Sequence, residues 1–375
     1  SMSNSISPSE DPLYSPAPGT PIAQLPTPAL LIDLPAMQAN LGHMAAFFSN
    51  KPALLRPHFK THKCPVIAQM QMQAGAIGLT CAKLGEAEVL VEAGIPSILI
   101  ANQVVDPRKI ERLAQIASSS QIIVAVDQEE NLRQLSQAAI SAGSTIHVVI
   151  EVDVGMGRCG VQPGEAAITL ARLASYLPGL HFAGVMGYEG HTVFEPDPQR
   201  RGENVQNAMH ALVSTAERIR AAGLRVEIVS AGGTGTYNLT GVFPGVTEIE
   251  AGSYPFMDAK YAGMNLPFQP AISLLATAIS VPTPGRAIID AGLKSLTTEN
   301  GLPLVLHPQG VELLRLNEEH GILETPAWVE LQVGDRVELL PSHVCTTVNL
   351  HDRYYVVDIG HLQTIWPITG RGKSQ

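Results

Sequence analysis

The chain has 375 residues, enough for one large domain or two ordinary ones. Hydrophobic residues make up 45% and charged residues only 15%, so a sizeable core is available. The formal net charge is -10 with no basic run, which argues against a nucleic-acid partner, and no apolar run is long enough to span a membrane. Cys64, Cys81, Cys159 and Cys345 are scattered without CxxC pairs, the usage expected of a reduced, cytoplasmic protein. Ser1-Met2 reads as an expression scar, and no signal-peptide pattern follows it.

Residues 1–26 hold many Ser and Pro and no periodic pattern, and read as an N-terminal arm, disordered or draped over a partner subunit. Residues 29–33 form a short apolar strand that precedes the barrel described next and can join the later β domain. Asp33 can cap a helix with Pro35 in its first turn and Met37, Leu41, Met44 and Phe48 on one face. Strands then alternate with amphipathic helices such as 85–93 and 107–117. The expected strands are 54–60, 77–82, 97–101, 122–127, 146–153, 182–188, 226–230 and 247–250. This alternation over 34–265 suggests a (β/α)8 TIM-type barrel, with a doubly wound open sheet as the alternative. From 266 to 375 helical periodicity gives way to strand-like runs between Pro and Gly. Those at 271–281, 286–290, 304–306, 335–340, 346–350 and 354–358 suggest a C-terminal all-β domain.

The first barrel strand runs into Arg56-Pro-His-Phe-Lys-Thr-His-Lys63. Strand alternation would put His58, Lys60 and His62 on one face. That is either a basic strand end in solvent or a lysine whose amine is partly deprotonated by cationic neighbours and can form a Schiff base. In a barrel the chemistry lies at the C-terminal strand ends. The fifth strand delivers Glu151-Val-Asp-Val-Gly-Met-Gly-Arg158-Cys-Gly, and the sixth Gly187-Tyr188-Glu-Gly-His191. The seventh delivers Gly232-Gly233-Thr234-Gly235 and the eighth Glu250-Ala-Gly252-Ser253-Tyr254. One such glycine turn is usually only a tight turn. Two at the corner where barrels bind phosphate, opposite a lysine on strand one, fit a phosphate-bearing aldehyde, and that describes pyridoxal phosphate.

These segments resemble the alanine-racemase-like (fold type III) pyridoxal-phosphate enzymes. Arg56–Cys64, Ile-Asp-Ala-Gly-Leu-Lys-Ser (289–295) and Pro-Ser-His-Val-Cys (341–345) resemble its D-threonine aldolase and D-serine dehydratase group, from about residue 27 onward. The resemblance implies Lys60 as the attachment lysine and Arg158 at the phenolic oxygen. It places Tyr188 near the ring and the 232–235 and 252–254 turns on the phosphate. It also implies a homodimer whose β domain closes the partner's active site. His343 and Cys345 face one side if they lie on a strand. Alone, this pair more often marks a buried Cys beside a capping His. The resemblance makes it a divalent-metal site, for zinc or manganese and less readily magnesium. His351 is a weaker third candidate. His43, His147, His307 and His361 have no chemical company and read as structural.

Glu250 stands about where racemases of the fold place an arginine against the pyridine nitrogen. A carboxylate there would favour the pyridinium and a stronger electron sink, but a solvated rim carboxylate fits the sequence equally well. The implied substrate is a D-3-hydroxy-α-amino acid. Aldolase chemistry, with His191 or His62 as base, gives glycine and an aldehyde. Dehydratase chemistry on D-serine or D-threo-3-hydroxyaspartate gives a 2-oxo acid and ammonia. The barrel motifs lean to the aldolase, and Cys345 leans to the dehydratase. A racemase and a non-catalytic protein of pyridoxal-phosphate homeostasis are the remaining readings.

Overall fold

A computed structural model of the protein describes residues 11–375. The chain divides into two compact units, Gly42–Ser253 with Lys373–Gln375, and the residues up to Leu41 with Tyr254–Gly372. The sequence pattern set these boundaries at 33 and 265. The first falls instead inside the opening helix, and the second falls directly after the last glycine turn of the barrel.

The chain opens with β1 (Ala29–Asp33) and α1 (Leu34–Phe48). Asp33 accepts the Ala36 N–H at 3.1 Å, which starts the helix, and Met37, Leu41, Met44 and Phe48 are all buried. The barrel strands follow: β2 (Leu54–Leu55), β3 (Leu79–Cys81), β4 (Ser97–Ile100), β5 (Gln121–Val126), β6 (Ile146–Glu151), β7 (Leu180–Met186), β8 (Ile228–Ala231) and β9 (Glu248–Ile249). The helices between them are α2 (Pro65–Gln73), α3 (Leu84–Glu92), α4 (Pro107–Ile116), α5 (Glu129–Ala142), α6 (Glu165–Tyr176), α7 (Pro198–Ala221) and α8 (Tyr237–Thr240). All pairings are parallel in the order β2-β9-β8-β7-β6-β5-β4-β3. A parallel bridge between His58 and Thr80 brings the first strand's extension onto β3. This is the TIM-type barrel, built by right-handed strand–helix–strand units.

Leu99, Ile123, Ala125, Val149, Ala183 and Met186 pack together as the inner layer of the barrel. Side chains alternate along a strand, so Val149 and Glu151 share the inner face of β6. The interior also holds charge. Arg56 donates through Nε to Glu248 Oε2 at 2.7 Å and through its second arm to Oε1 at 3.3 Å, both residues being buried. This two-pronged pairing compensates both desolvated groups.

The second unit contains α9 (Ala259–Ala262), β10 (Ile272–Thr283), β11 (Arg286–Ile289), β12 (Leu304–His307), β13 (Glu312–Leu316), β14 (Gly321–Glu324), β15 (Arg336–Leu340), α10 (Val344–Val348), β16 (Arg353–Asp358) and β17 (His361–Pro367). β1 lies inside its sheet, antiparallel to β10 and parallel to β16, with Leu31 opposite both Ser273 and Tyr355. Two expectations fail here. The run expected as a strand at 346–350 is helical to Val348, in α10, and then a turn: its β-branched residues suggested a strand, but the Asp258 carboxylate accepts the Val344 N–H at 3.1 Å and opens a helix there. The described part of the expected arm is anchored on its own chain. The Gly19 and Ile22 N–H groups donate to Leu362 and Gly360, and Leu25 is fully buried beside Leu31, Leu275 and Tyr355. Backbone bonds hold this segment, so it carries no periodic pattern. Residues 1–10 lie outside the described residues.

Candidate active site at the barrel's C-terminal end

β2 stops at Leu55, and after the bridge at His58 the chain turns instead of continuing as a strand. The Lys63 N–H closes the turn on Phe59 O at 2.9 Å, with Lys63 in the left-handed region at φ 54°. The expected alternation therefore does not exist. Between Arg56 and Cys64 only Lys60 is exposed, while His58 and His62 are buried. His58 Nδ1 accepts the Lys60 N–H at 3.2 Å and fixes the backbone of the lysine itself. His62 Nδ1 accepts the Cys64 N–H at 3.0 Å, which leaves Nε2–H to donate to Gln71 Oε1 at 2.9 Å. Burial holds His62 down to about 4, and burial, then the charges of Lys60, Lys63 and His62, hold His58 well below its ordinary value. Both imidazoles are neutral at pH 7. They are not the cationic neighbours expected of them, and His62, with both nitrogens engaged, is a turn-holding residue, not an available base. The nearby cation is Lys63, whose Nζ lies 3.0 Å from Glu86 Oε2 in a buried pair.

Three other strand ends converge. After β6, Asp153 Oδ1 accepts the Gly155 and Gly157 N–H groups at 2.9 and 3.1 Å, and Asp127 accepts the Gly160 N–H at 3.0 Å. The loop folded this way presents Arg158, exposed, with its guanidinium 6.0 Å from the centre of the Tyr188 ring. After β7, the Tyr188 ring lies over Gly233, where an added Cβ would stand 3.4 Å from the ring edge. His191 is exposed and lies against Gly155, whose added Cβ would fall 2.6 Å from His191 Nε2. Sequence reading passed over Glu189 between these residues. It is fully buried and accepts the Gly232 N–H at 2.9 Å.

The turn after β8 and the end of β9 are joined by the Ser253 N–H donating to Thr234 Oγ1 at 3.0 Å. Thr234, Gly235 and Gly252 are buried, yet among the described residues their N–H groups have no acceptor. Buried unpaired N–H groups are rare, and a cluster of them suits an anion. The turns fit the phosphate of pyridoxal phosphate on that ground, and Lys60 is the exposed amine of the same barrel end. Gly232 and Gly233 serve the turn differently: their N–H groups go to Glu189 and to Thr236 Oγ1. Tyr254 begins the other unit, where its buried ring packs 5.9 Å from Phe268.

Glu250 is buried, not a solvated rim group. Ser230 Oγ lies 2.8 Å from Glu250 Oε2 and 3.1 Å from Glu248 Oε2. One hydroxyl hydrogen cannot serve both carboxylates, and Arg56 already neutralises Glu248. Burial raises the Glu250 carboxyl, the Ser230 bond offsets part of this, and the charges of Glu248, Glu189 and Glu151 add to it, to about 8. Glu250 thus carries its own proton at neutral pH.

In the β unit, His343 is the residue before α10 and not part of a strand, so the expected same-face geometry is replaced by a helix start. His343 and Cys345 are nonetheless close enough to interact electrostatically, and His343 Nδ1 lies 2.5 Å from Glu299 Oε2. Burial pushes the imidazole down, but Cys345 and then Glu299 outweigh it and raise it to about 9. With Nδ1 held by a carboxylate, release of the imidazolium and thiol protons would leave Nε2 and the Cys345 sulfur as a donor pair for a divalent ion. Among the described residues no group of three or more His, Cys, Asp or Glu is arranged as a metal site, so this pair is a partial set. His351 is engaged elsewhere, its Nε2 2.8 Å from Ser295 O. His147 does have company: its ring centre is 4.7 Å from that of His181, which lies 3.2 Å from Glu227.

The alanine racemase N-terminal domain matches residues 32–260, and a putative serine dehydratase domain matches residues 271–357. The chain belongs to the alanine racemase N-terminal domain family. A D-threonine aldolase of Arthrobacter sp. is 41% identical over 363 residues, covering 96% of each chain. The crystal structure of a D-threonine aldolase from Filomicrobium marinum has a TM-score of 0.93 at 39% identity, covering 96% of this chain and 99% of that one. A D-threo-3-hydroxyaspartate dehydratase from Delftia sp. is more distant, at 29% identity and a TM-score of 0.84, covering 93% and 98%. A cysteine-to-alanine variant of a dehydratase of that name is described in a metal-free form. No helix among the described residues is long and apolar enough to cross a membrane.

Proposed function

We propose that this chain is a pyridoxal-phosphate- and divalent-metal-dependent lyase of D-threonine aldolase type, cleaving D-3-hydroxy-α-amino acids to glycine and an aldehyde. The observation that carries this reading is the pairing, at one end of the barrel, of exposed Lys60 with buried, unpartnered N–H groups at Thr234, Gly235 and Gly252. The 41% identity to a D-threonine aldolase favours cleavage over elimination.

Lys60 offers its amine for covalent attachment, on a backbone fixed by His58. Thr234, Gly235, Gly252 and Ser253 hold the phosphate. Arg158 and Tyr188 flank the ring. Glu250 holds a proton for the ring nitrogen. Pyridoxal phosphate bound there supplies the electron sink for the bond broken at Cα. His191, beside Gly155, takes the proton from the substrate's 3-hydroxyl at Nε2. His343 and Cys345 would hold the divalent ion, zinc or manganese or else magnesium, and that ion would supply Lewis acidity. The protein works as a homodimer in the cytoplasm.

The experiment is product identification after incubation with D-threonine, pyridoxal phosphate and manganese or zinc. Glycine with acetaldehyde supports the aldolase. 2-Oxobutanoate with ammonia would replace it with a dehydratase, the second reading, which rests on Cys345 at the metal pair.

A further inference from the structure

We infer that Glu189 is the positioning residue that locks the phosphate turn after β8 to the Tyr188–His191 segment after β7. The inference rests on the reading of that turn as a phosphate site.

Glu189 is fully buried, so it does not touch a ligand in the barrel mouth. Its carboxylate is nevertheless the meeting point of three donors from a single stretch of chain. The Gly232 N–H reaches Oε1 at 2.9 Å, the Thr236 hydroxyl reaches Oε2 at 3.4 Å, and the Thr240 hydroxyl also donates to Oε2. These donors bracket the turn, at its first residue, at the residue before α8 and at the last residue of α8. By taking the Gly232 N–H, Glu189 fixes which N–H groups are left for an anion, namely those of Thr234, Gly235 and Gly252. The neighbours of Glu189 face the other way. Tyr188 lies on Gly233, and Gly190 is pressed to the Tyr188 ring so closely that an added Cβ would fall 2.4 Å from a ring carbon. One buried side chain therefore sets the turn's donors and the placement of Tyr188 and His191 together.

The substitutions separate by chemistry. In Glu189→Gln the amide oxygen still accepts the Gly232 N–H, and the two threonine hydroxyls can turn to accept from the NH2 group. In Glu189→Ala the Gly232 N–H and both hydroxyls are left in a dry pocket without their acceptor.

The test measures binding of pyridoxal phosphate, and separately of phosphate-free pyridoxal, to the full-length apoprotein by absorbance. Wild type should prefer the phosphorylated form. Glu189→Ala should weaken pyridoxal phosphate by roughly 10-fold or more, the order of one lost hydrogen bond, and pyridoxal, which meets only the ring-side residues, by clearly less. Glu189→Gln should restore the preference. Equal weakening of both ligands, or none, in Glu189→Ala would overturn the inference while leaving the phosphate reading intact. A wild type that does not distinguish the two ligands would overturn both. Should Glu189→Ala fail to fold, Thr236→Val and Thr240→Val each remove one donor and are read by the same ratio.

Discussion

The Lys63 ammonium and the Glu86 carboxylate lie 3.0 Å apart, and both are buried. Glu86 also accepts the Ala82 N–H at 2.7 Å and the Lys83 N–H at 3.3 Å, so one carboxylate ties the Lys60 turn to the start of α3. Removing one partner leaves the other charge buried. Glu86→Ala should cost about 3–5 kcal/mol in denaturant unfolding, and the double variant Lys63→Met/Glu86→Leu should recover much of it. A single variant costing less than about 1 kcal/mol would show that the pair is not desolvated as described.

Lys60 is the one exposed residue of its turn. Lys60→Ala should abolish the yellow absorbance at roughly 420 nm that lysine-bound pyridoxal phosphate gives, while the unfolding midpoints of the two apoproteins stay the same. Survival of the band would move the attachment point elsewhere.

Glu250 gives a pH prediction with a definite sign. Its folded carboxyl is raised from an ordinary 4.5 to about 8. Between those values the folded state keeps a proton that the unfolded state has lost, so this group's contribution falls as pH rises, by up to about 1.4 kcal/mol per pH unit. Glu250→Gln keeps a neutral side chain and removes that slope. The apoprotein variant should therefore gain stability relative to wild type from pH 5 to pH 8 in urea unfolding. Parallel stability curves for the two proteins would reject the buried-acid description.

Gly155 sits at φ 124°, and a Cβ added there would stand 2.6 Å from His191 Nε2. Gly155→Ala must push the imidazole away. With His191 as base, kcat should fall by roughly 10- to 100-fold, and by more than cofactor affinity, which the strained loop carrying Arg158 also lowers. Unchanged kcat would remove His191 from the proton-transfer role.

The metal and cofactor donors belong to different residue sets. A chelator should abolish turnover and leave the yellow colour, and added zinc or manganese should restore turnover. Loss of colour together with turnover would mean the two sites are not independent.

The barrel was legible because parallel strands buried on both faces read as Val/Ile runs between amphipathic helices, and eight such runs were visible. The glycine turns were legible for a similar reason, since tight turns need glycine at fixed places. What stayed hidden depends on contacts distant in sequence. Nothing near Lys60 announces that its run turns at His58, because the turn is set by a bridge to Thr80 and by Glu86. Glu189 was quoted within its motif but not recognised, since its donors lie more than forty residues on. His343 was paired with Cys345 on the wrong element. A Val-Cys-Thr-Thr-Val run looks extended until Asp258 caps it.

The placement of β1 affects how the molecule is made. β1 leaves a ribosome before the strands it pairs with, Ile272–Thr283 and Arg353–Asp358, so both its edges stay open while the whole barrel is synthesised. The barrel is an insertion into the β unit's sequence, not a domain preceding it. A fragment starting at residue 266 would lack a central strand and should fail to fold, whereas residues 254–372 joined by a short linker to residues 11–41 would carry every described strand of that sheet.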